Sequence, residues 1–219
     1  MAVENSSYEY TAKVVEAQRN YFRSGATLDI SFRKEMLKLL LEGLHKWEKP
    51  LAEALWIDLH KSYEEAYMTE FGILYGEIEN HLKNLSSWAS PKRVGAPLRI
   101  FPSKSKILSE PLGNTLIIAP WNYPVQLLLN PLIGAISAGC TALLKPSPYT
   151  PNVAQVLEQM IDDTFSEEYI AIVQGNRDVN RYLLDQRFDL IFFTGSPTLG
   201  REVMAAASKH LTPVVLELG

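Results

Sequence analysis

Polar side chains follow two short apolar runs of the chain, at positions where they could bind a ligand or assist catalysis. Trp121 and Asn122 come just after the run that ends at residue 119, and Lys145 closes the run over 142–145. An amide can donate a hydrogen bond to a developing oxyanion, and an ammonium can bind a polar ligand group. The spacing leaves alternatives open, because Asn122 could equally cap a helix and Lys145 could simply extend into solvent.

A third apolar run, over 190–194, leads into a turn bracketed by Gly195 and Gly200 that is suited to binding an anion. Ser196 stands at the expected N-cap of the next helix, and a proline follows it at the first helical position. Free backbone N–H groups at the positive end of a helix dipole attract phosphate or pyrophosphate. The two glycines also have P-loop spacing, but the pair Arg-Glu at 201–202 replaces the lysine and the magnesium-binding hydroxyl of that motif. Nucleotide hydrolysis is therefore disfavoured.

The last apolar run, over 214–218, carries Glu217 near its end. A carboxylate is costly to bury in an apolar strand. We therefore expect Glu217 either to lie solvated at the exposed end of a sheet or to act as a proton acceptor in a cleft. The spacing alone does not separate these two interpretations.

Composition narrows the class of protein. The chain has 219 residues, of which 47% are hydrophobic and 21% charged, as in globular proteins large enough to form a core without disulfides or metals. The net charge of -4, with no long cationic run, argues against nucleic acid as a partner. One cysteine and scattered histidines predict neither a disulfide nor a metal site. The polar N-terminus and the short apolar runs predict a cytoplasmic protein.

From residue 113 onward, short apolar runs alternate with helical patterns. We predict strands over 115–119, 142–145, 169–173, 190–194 and 214–218, with helices over 124–138, 151–164, 178–185 and 198–208. Repeated strand-helix units predict an α/β fold with a doubly wound, parallel, Rossmann-like sheet. Ligands bind outside the carboxyl ends of such strands, so we expect the candidate residues to meet there.

Residues 1–97 predict a helical region that packs on the sheet. Apolar residues recur at spacings of three and four from Asp29, an expected N-cap, and the pattern stops before Pro50, where a second helix restarts. Ser62 and Glu65 form a capping box that opens a third helix, which ends before Pro91.

Between the two regions, the hydrophobic period changes to two. Alternating residues on either side of 102–104 predict a β-hairpin arm over 98–110. An arm of this kind has an exposed edge, which another domain or another subunit could cover.

The motifs at the strand ends together resemble the cofactor-binding half of the aldehyde dehydrogenase superfamily. They occur in the family's order and spacing: Pro120-Trp121-Asn122-Tyr123-Pro124, Leu144-Lys145-Pro146-Ser147, Phe193-Thr194-Gly195-Ser196 followed by Gly200, and Leu216-Glu217-Leu218-Gly219. The resemblance covers essentially the whole chain and is most like the class 3 branch, which includes fatty and aromatic aldehyde dehydrogenases. It implies an NAD(P)-binding domain over 111–219, a homodimer, and oxidation of an aldehyde to a carboxylic acid with NAD or NADP.

The resemblance implies catalytic roles for two residues. Asn122 would donate its side-chain amide to the oxyanion that forms when the aldehyde is attacked. Glu217 would be the general base that activates a thiol or the hydrolytic water. Trp121 would line the passage of the nicotinamide ribose.

The resemblance implies cofactor-binding roles for four further residues. Lys145 would hydrogen-bond the adenosine ribose or a 2'-phosphate, Gly195 and Ser196 would contact the pyrophosphate, and Gly200 would permit close helix packing. The family often has a glutamate at the position of Pro148, where it disfavours a 2'-phosphate. Because this chain lacks that carboxylate, we expect NADP+ to be tolerated.

The resemblance also implies a catalytic cysteine beyond the Glu-Leu-Gly strand with which this sequence ends. Cys140 does not match it, because it precedes a buried strand, where a thiol is inert. We therefore expect an amino-terminal fragment without its catalytic domain, inactive in isolation. The alternatives are a non-catalytic dinucleotide-binding or scaffolding module, and an acyl-phosphate or acyl-CoA reductase on the same fold.

Overall fold

A computed structural model of the chain describes residues 4–219, so the first three residues of the predicted helical region lie outside the described part. The α-helices run over Tyr8–Arg23 (α1), Ile30–Leu59 (α2), Tyr63–Ala66 (α3), Gly72–Trp88 (α4), Gln126–Ala138 (α5), Pro151–Thr164 (α6), Arg177–Asp185 (α7) and Pro197–Ser208 (α8). The strands run over Lys92–Val94 (β1), Ser105–Ile107 (β2), Asn114–Ile118 (β3), Thr141–Lys145 (β4), Ile170–Ile172 (β5), Leu190–Gly195 (β6) and Val214–Leu218 (β7).

The centre of the molecule is a five-stranded parallel sheet in the order β5-β4-β3-β6-β7. The predicted α/β fold is confirmed, and each predicted strand is present within one residue of its expected ends. From β3 the chain winds outward to β4 and β5, then crosses back to β6 on the other side. The crevice between the ends of β3 and β6 is therefore the topological switch point, where open α/β sheets bind ligands.

Helices cover both faces of the sheet. Ile117 and Leu144 face the core formed with α2, α4, α5 and α6, whereas their neighbours Leu116 and Leu143 face the core formed with α1, α7 and α8. Successive strand residues point to opposite faces, and both are buried, which explains the unbroken apolar runs of β3 and β4. Helix α1, which was not predicted as a separate element, buries Val14 on this second face.

The helix boundary predicted at Pro50 is wrong. Helix α2 begins at the predicted N-cap Asp29, whose carboxylate accepts from Ser31 N, and continues through Pro50. Proline removes one helical hydrogen bond, but Leu51 and Leu55 in the next turns are fully buried, and α2 packs along α6. Tertiary packing therefore keeps the helix intact. No helix of residues 4–219 is long and apolar enough to cross a membrane.

The predicted hairpin is present, but its strands were wrongly placed. The first strand is Lys92–Val94, which pairs antiparallel with Ser105–Ile107. The alternating segment Leu98–Ile100 is instead a short 3-10 turn at the tip. Its side chains are exposed and have no sheet to face, so the alternation carries no strand signal there.

We expect Gly139→Ala to destabilise the fold by at least about 2 kcal/mol, since it combines a left-handed backbone with a displaced buried group. Gly139 ends α5 with a φ of 87°, and a Cβ there would lie 2.7 Å from Cζ of Arg33. That guanidinium is buried and donates to three backbone carbonyls. Thermal or urea unfolding measures the loss.

Gly134, on the same helix, provides the matched control. A Cβ at this exposed position meets nothing within 4 Å. Because alanine has the higher helix propensity, Gly134→Ala should stabilise the protein by up to about 1 kcal/mol. Equal effects of the two substitutions would contradict the assigned strain at Gly139.

Candidate active site

A cleft of about 710 Å³ opens at the carboxyl ends of β3, β6 and β7, at the switch point of the sheet. It brings together four of the predicted site residues, Trp121, Asn122, Gly195 and Glu217. Helix α5 forms one wall, to which Leu127, Asn130 and Pro131 contribute. Three predicted residues, Lys145, Ser196 and Gly200, do not line this cleft.

Asn122 lies in the loop between β3 and α5, and its side chain is exposed. The structure excludes the capping role that the sequence left open, because another residue caps α5. The carboxylate of Glu70 accepts from Val125 N at 2.8 Å and from Gln126 N at 3.1 Å. No described group hydrogen-bonds the side-chain amide of Asn122, which is therefore available to a ligand in the cleft.

Glu217 lies on the edge strand β7, opposite Thr194 of β6. Its side chain is exposed at the end of the sheet, as one interpretation predicted, and it lines the cleft, where the role of proton acceptor stays a prediction. Access to water removes the cost of burying the charge.

Lys145 does not extend into solvent, contrary to one of its interpretations. It is 1% exposed at the end of β4, and its Nζ donates to Pro146 O at 2.7 Å. Burial lowers the pKa of this ammonium to about 8. Among the described residues, this ammonium has only a carbonyl oxygen as a hydrogen-bond partner. A ligand oxygen beside it would therefore stabilise the buried charge.

The turn between β6 and α8 packs closely against β7. Ser196 caps α8, since its Oγ accepts from Leu199 N at 3.4 Å. A Cβ at Gly200 would lie 2.8 Å from Cδ2 of Leu218, in β7. A side chain at this position would therefore displace the side chain of Leu218, which lines the cleft.

A buried ion pair next to the cleft was missed by sequence reasoning. Lys61 Nζ lies 2.7 Å from Oε1 of Glu70, and the two side chains are 8% and 0% exposed. The signal was present in part: Glu70 stands four residues before Leu74, on the apolar stripe of the helix, where a carboxylate is out of place. Removing one member of such a pair costs about 3–5 kcal/mol, because the other charge stays buried.

Cys140 is far from this chemistry. It is 2% exposed and immediately precedes β4, at the amino end of the parallel strands, whereas the cleft lies at their carboxyl ends. It lines a separate cavity of about 360 Å³. Among residues 4–219 there is also no cluster of three or more potential metal ligands.

Comparison with known sequences gives a consistent result over the whole chain. The sequence model described as the aldehyde dehydrogenase family matches residues 1–219. The chain is 48% identical over 199 residues to 4,4'-diaponeurosporen-aldehyde dehydrogenase of Staphylococcus aureus, covering 91% of this chain and 43% of that protein. It is 43% identical over 201 residues to human aldehyde dehydrogenase family 3 member B1, covering 92% and 43%. The chain thus spans less than half the length of these relatives.

Solved structures agree with the sequence matches. The substrate-bound state of Staphylococcus aureus AldH superposes with a TM-score of 0.94 and 46% identity, covering 95% of this chain and 46% of that one. Betaine aldehyde dehydrogenase from Staphylococcus aureus, in complex with NAD+, superposes with a TM-score of 0.80 and 26% identity, covering 99% and 43%.

Proposed function

Because the chain belongs to the aldehyde dehydrogenase family, we propose that it supplies the dinucleotide-binding half of an enzyme that oxidises an aldehyde to a carboxylic acid with NAD+ or NADP+. The observation that carries the proposal is the cleft at the switch point. The cleft is lined both by Asn122, whose side-chain amide has no described hydrogen-bond partner, and by the carboxylate Glu217. Aldehyde oxidation requires side chains that polarise the carbonyl and that remove a proton, in addition to the attacking thiol.

The groups at this sheet edge fit a dinucleotide. The first turn of α8 offers backbone N–H groups and a helix dipole to a pyrophosphate, next to Gly195 and Ser196. The buried ammonium of Lys145 suits a ribose hydroxyl or a 2'-phosphate. Trp121, half-exposed at the cleft, suits the nicotinamide end. When bound, the nicotinamide would accept a hydride from the substrate.

Each catalytic side chain has one task in this proposal. The amide of Asn122 donates to the substrate oxygen as that oxygen gains negative charge. Glu217 accepts a proton, from the attacking thiol or from the water that hydrolyses the acyl product. Cys140 is not the attacking thiol, because it is buried at the amino ends of the parallel strands, whereas the cleft lies at their carboxyl ends.

Aldehyde-dependent formation of NAD(P)H by the protein that contains this chain is the test. The 219-residue chain should by itself bind NADH, seen as enhanced cofactor fluorescence, without turnover. Failure to bind would contradict the dinucleotide site, whereas turnover by the chain alone would contradict the assigned roles. Binding without aldehyde oxidation in the longer protein would favour the scaffolding alternative, which family membership does not favour.

Cofactor choice gives a separate prediction. Pro148 lies in the turn after β4, three residues beyond Lys145, so no carboxylate stands there to repel a 2'-phosphate. We expect NADP+ to be accepted, and we expect Pro148→Glu to raise the KM for NADP+ at least about tenfold, which corresponds to about 1.4 kcal/mol, with little change for NAD+. Pro148→Gln, similar in size but uncharged, is the control. Use of NAD+ alone by the unmodified enzyme would contradict the prediction.

The arm supports the homodimer as part of the proposal. Leu98 and Phe101 at its tip are 86% and 81% exposed, which is unusual for large apolar side chains that lie close together. A second subunit would cover them and would extend the exposed edge of the hairpin. A cytoplasmic location stays a prediction.

A further inference from the structure

We propose that Lys61 and Glu70 are positioning residues, which hold the Asn122 loop in the conformation that the reaction needs. The inference rests on the proposed function, because it assigns these residues an effect through Asn122. Neither residue lines the cleft, and neither would touch substrate or cofactor.

Lys61 anchors the loop by its main chain. Its Nζ donates to Asn122 O at 2.8 Å and lies 4.1 Å from the centroid of the Tyr123 ring. The third contact is Glu70 Oε1 at 2.7 Å. The ammonium thus has a carboxylate, a carbonyl and an aromatic face around it, and two of these three groups belong to the loop.

Glu70 anchors the other end of the loop. Its Oε1 accepts from Lys61, and its Oε2 accepts from the first free N–H groups of α5, those of Val125 and Gln126. A carboxylate at a helix N-terminus is favourable, because it satisfies orphan donors and faces the positive end of the dipole. One side chain therefore fixes both the lysine and the start of the helix that follows Asn122.

The local helix geometry explains how Glu70 reaches this point. The segment Tyr67–Phe71 is a π-helical turn between α3 and α4. A π-turn adds a residue to the helix and shifts the side chains that follow, and such turns are frequent at functional sites. Glu70 lies within this turn and is fully buried.

The arrangement leaves the side chain of Asn122 free while its peptide is held. The carbonyl oxygen is bound by Lys61, whereas the side-chain amide is exposed and has no described partner. A donor to an oxyanion is effective only if it is placed in advance, and a displacement of about 1 Å can cost about 10²-fold in rate. We infer that the ion pair provides this placement.

The decisive variant removes the lysine anchor but keeps the helix cap and leaves no unpaired buried charge. Lys61→Met/Glu70→Gln meets these conditions, because a glutamine oxygen can still accept from Val125 N. In the enzyme that contains this chain, we expect kcat for aldehyde oxidation to fall by about 10-fold to 10²-fold in this double variant. The KM for NAD+ should change by less than about threefold. Lys61→Arg, which keeps the charge and the donors, should lose less. Lys46→Met, which breaks an exposed ion pair with Asp163, is the control and should leave kcat unchanged.

A double-mutant cycle separates positioning from a general structural effect. In the Asn122→Ala background, Lys61→Met/Glu70→Gln should cause almost no further loss of kcat, because the residue through which the pair acts is gone. Multiplicative losses would overturn the proposal, as would unchanged kcat in both the double variant and Lys61→Arg while Asn122→Ala is impaired. Unchanged kcat in Asn122→Ala itself would overturn the proposed role of Asn122, and the inference with it.

Hydrogen exchange gives a readout that does not depend on activity. In the 219-residue chain, Lys61→Met/Glu70→Gln should accelerate amide exchange in the segment 122–127 by at least about 10-fold, with little change in β4 or α6. Unchanged exchange in this segment would overturn the anchoring role, whatever the result for the proposed function.

Discussion

Asn122→Ala, made in the enzyme that contains this chain, is expected to lower kcat for aldehyde oxidation by about 10²–10³-fold, which is the loss that follows removal of one oxyanion donor. The amide would stabilise charge that appears only as the carbonyl is attacked, so the KM for the cofactor should change little. Stability should also stay close to that of the unmodified protein, because the side chain is exposed and has no described hydrogen bond. Steady-state kinetics at saturating cofactor and a melting curve provide the measurements.

The matched control for this substitution is Asn84→Ala. Asn84 is partly exposed, lies on α4 and hydrogen-bonds Asn80 of the same helix. It should leave kcat unchanged. A rise in the KM for the aldehyde with unchanged kcat in Asn122→Ala would show that the amide binds ground state and transition state equally, which contradicts the assigned role.

Glu217→Gln is expected to lower kcat by about 10²–10⁴-fold, because glutamine has nearly the same shape but cannot accept the proton. The fold should tolerate the change, since Glu217 is exposed on the edge strand β7 and has no described ion-pair partner. Steady-state kinetics at saturating cofactor measure the loss.

Glu202→Gln controls for the loss of one negative charge near the site. Glu202 is exposed on α8, the helix that follows the glycine-bracketed turn, and does not line the cleft. It should retain the kcat of the unmodified enzyme. If Glu217→Gln retained that kcat as well, the general base would have to be another group.

Local patterns in the sequence were sufficient for the sheet. The strands β3 to β7 were predicted within one residue, because each consists almost entirely of apolar residues, and in β3, β4 and β5 both faces of the strand are buried. A second rule, that ligands bind beyond the carboxyl ends of parallel strands, predicted where to search for functional residues. Trp121, Asn122, Gly195 and Glu217 stand just after or at the ends of three parallel strands, and the carboxyl ends of parallel strands meet at one edge.

The predictions that failed depended on packing between distant segments. Pro50 interrupts the hydrogen bonds of a helix, but α2 continues because its apolar face is buried against α6, about a hundred residues later in the sequence. The alternation at 98–101 is typical of a strand, but a strand also needs a neighbour with free hydrogen-bonding groups. The neighbour of β2 is Lys92–Val94 instead.

The sequence alone determined the family, the strand-helix order and the candidate side chains, because each of these is written in residues that are close together in the chain. Tertiary structure alone decided what those side chains can do. Asn122 is free to bind a ligand because Glu70, more than fifty residues earlier, caps α5 in its place. Lys145 is a buried cation, 1% exposed at the end of β4, although its position at a strand end allowed it to reach solvent. In both cases the free energy of a charge or an amide is set by the groups around it, and the fold brings those groups from distant parts of the chain.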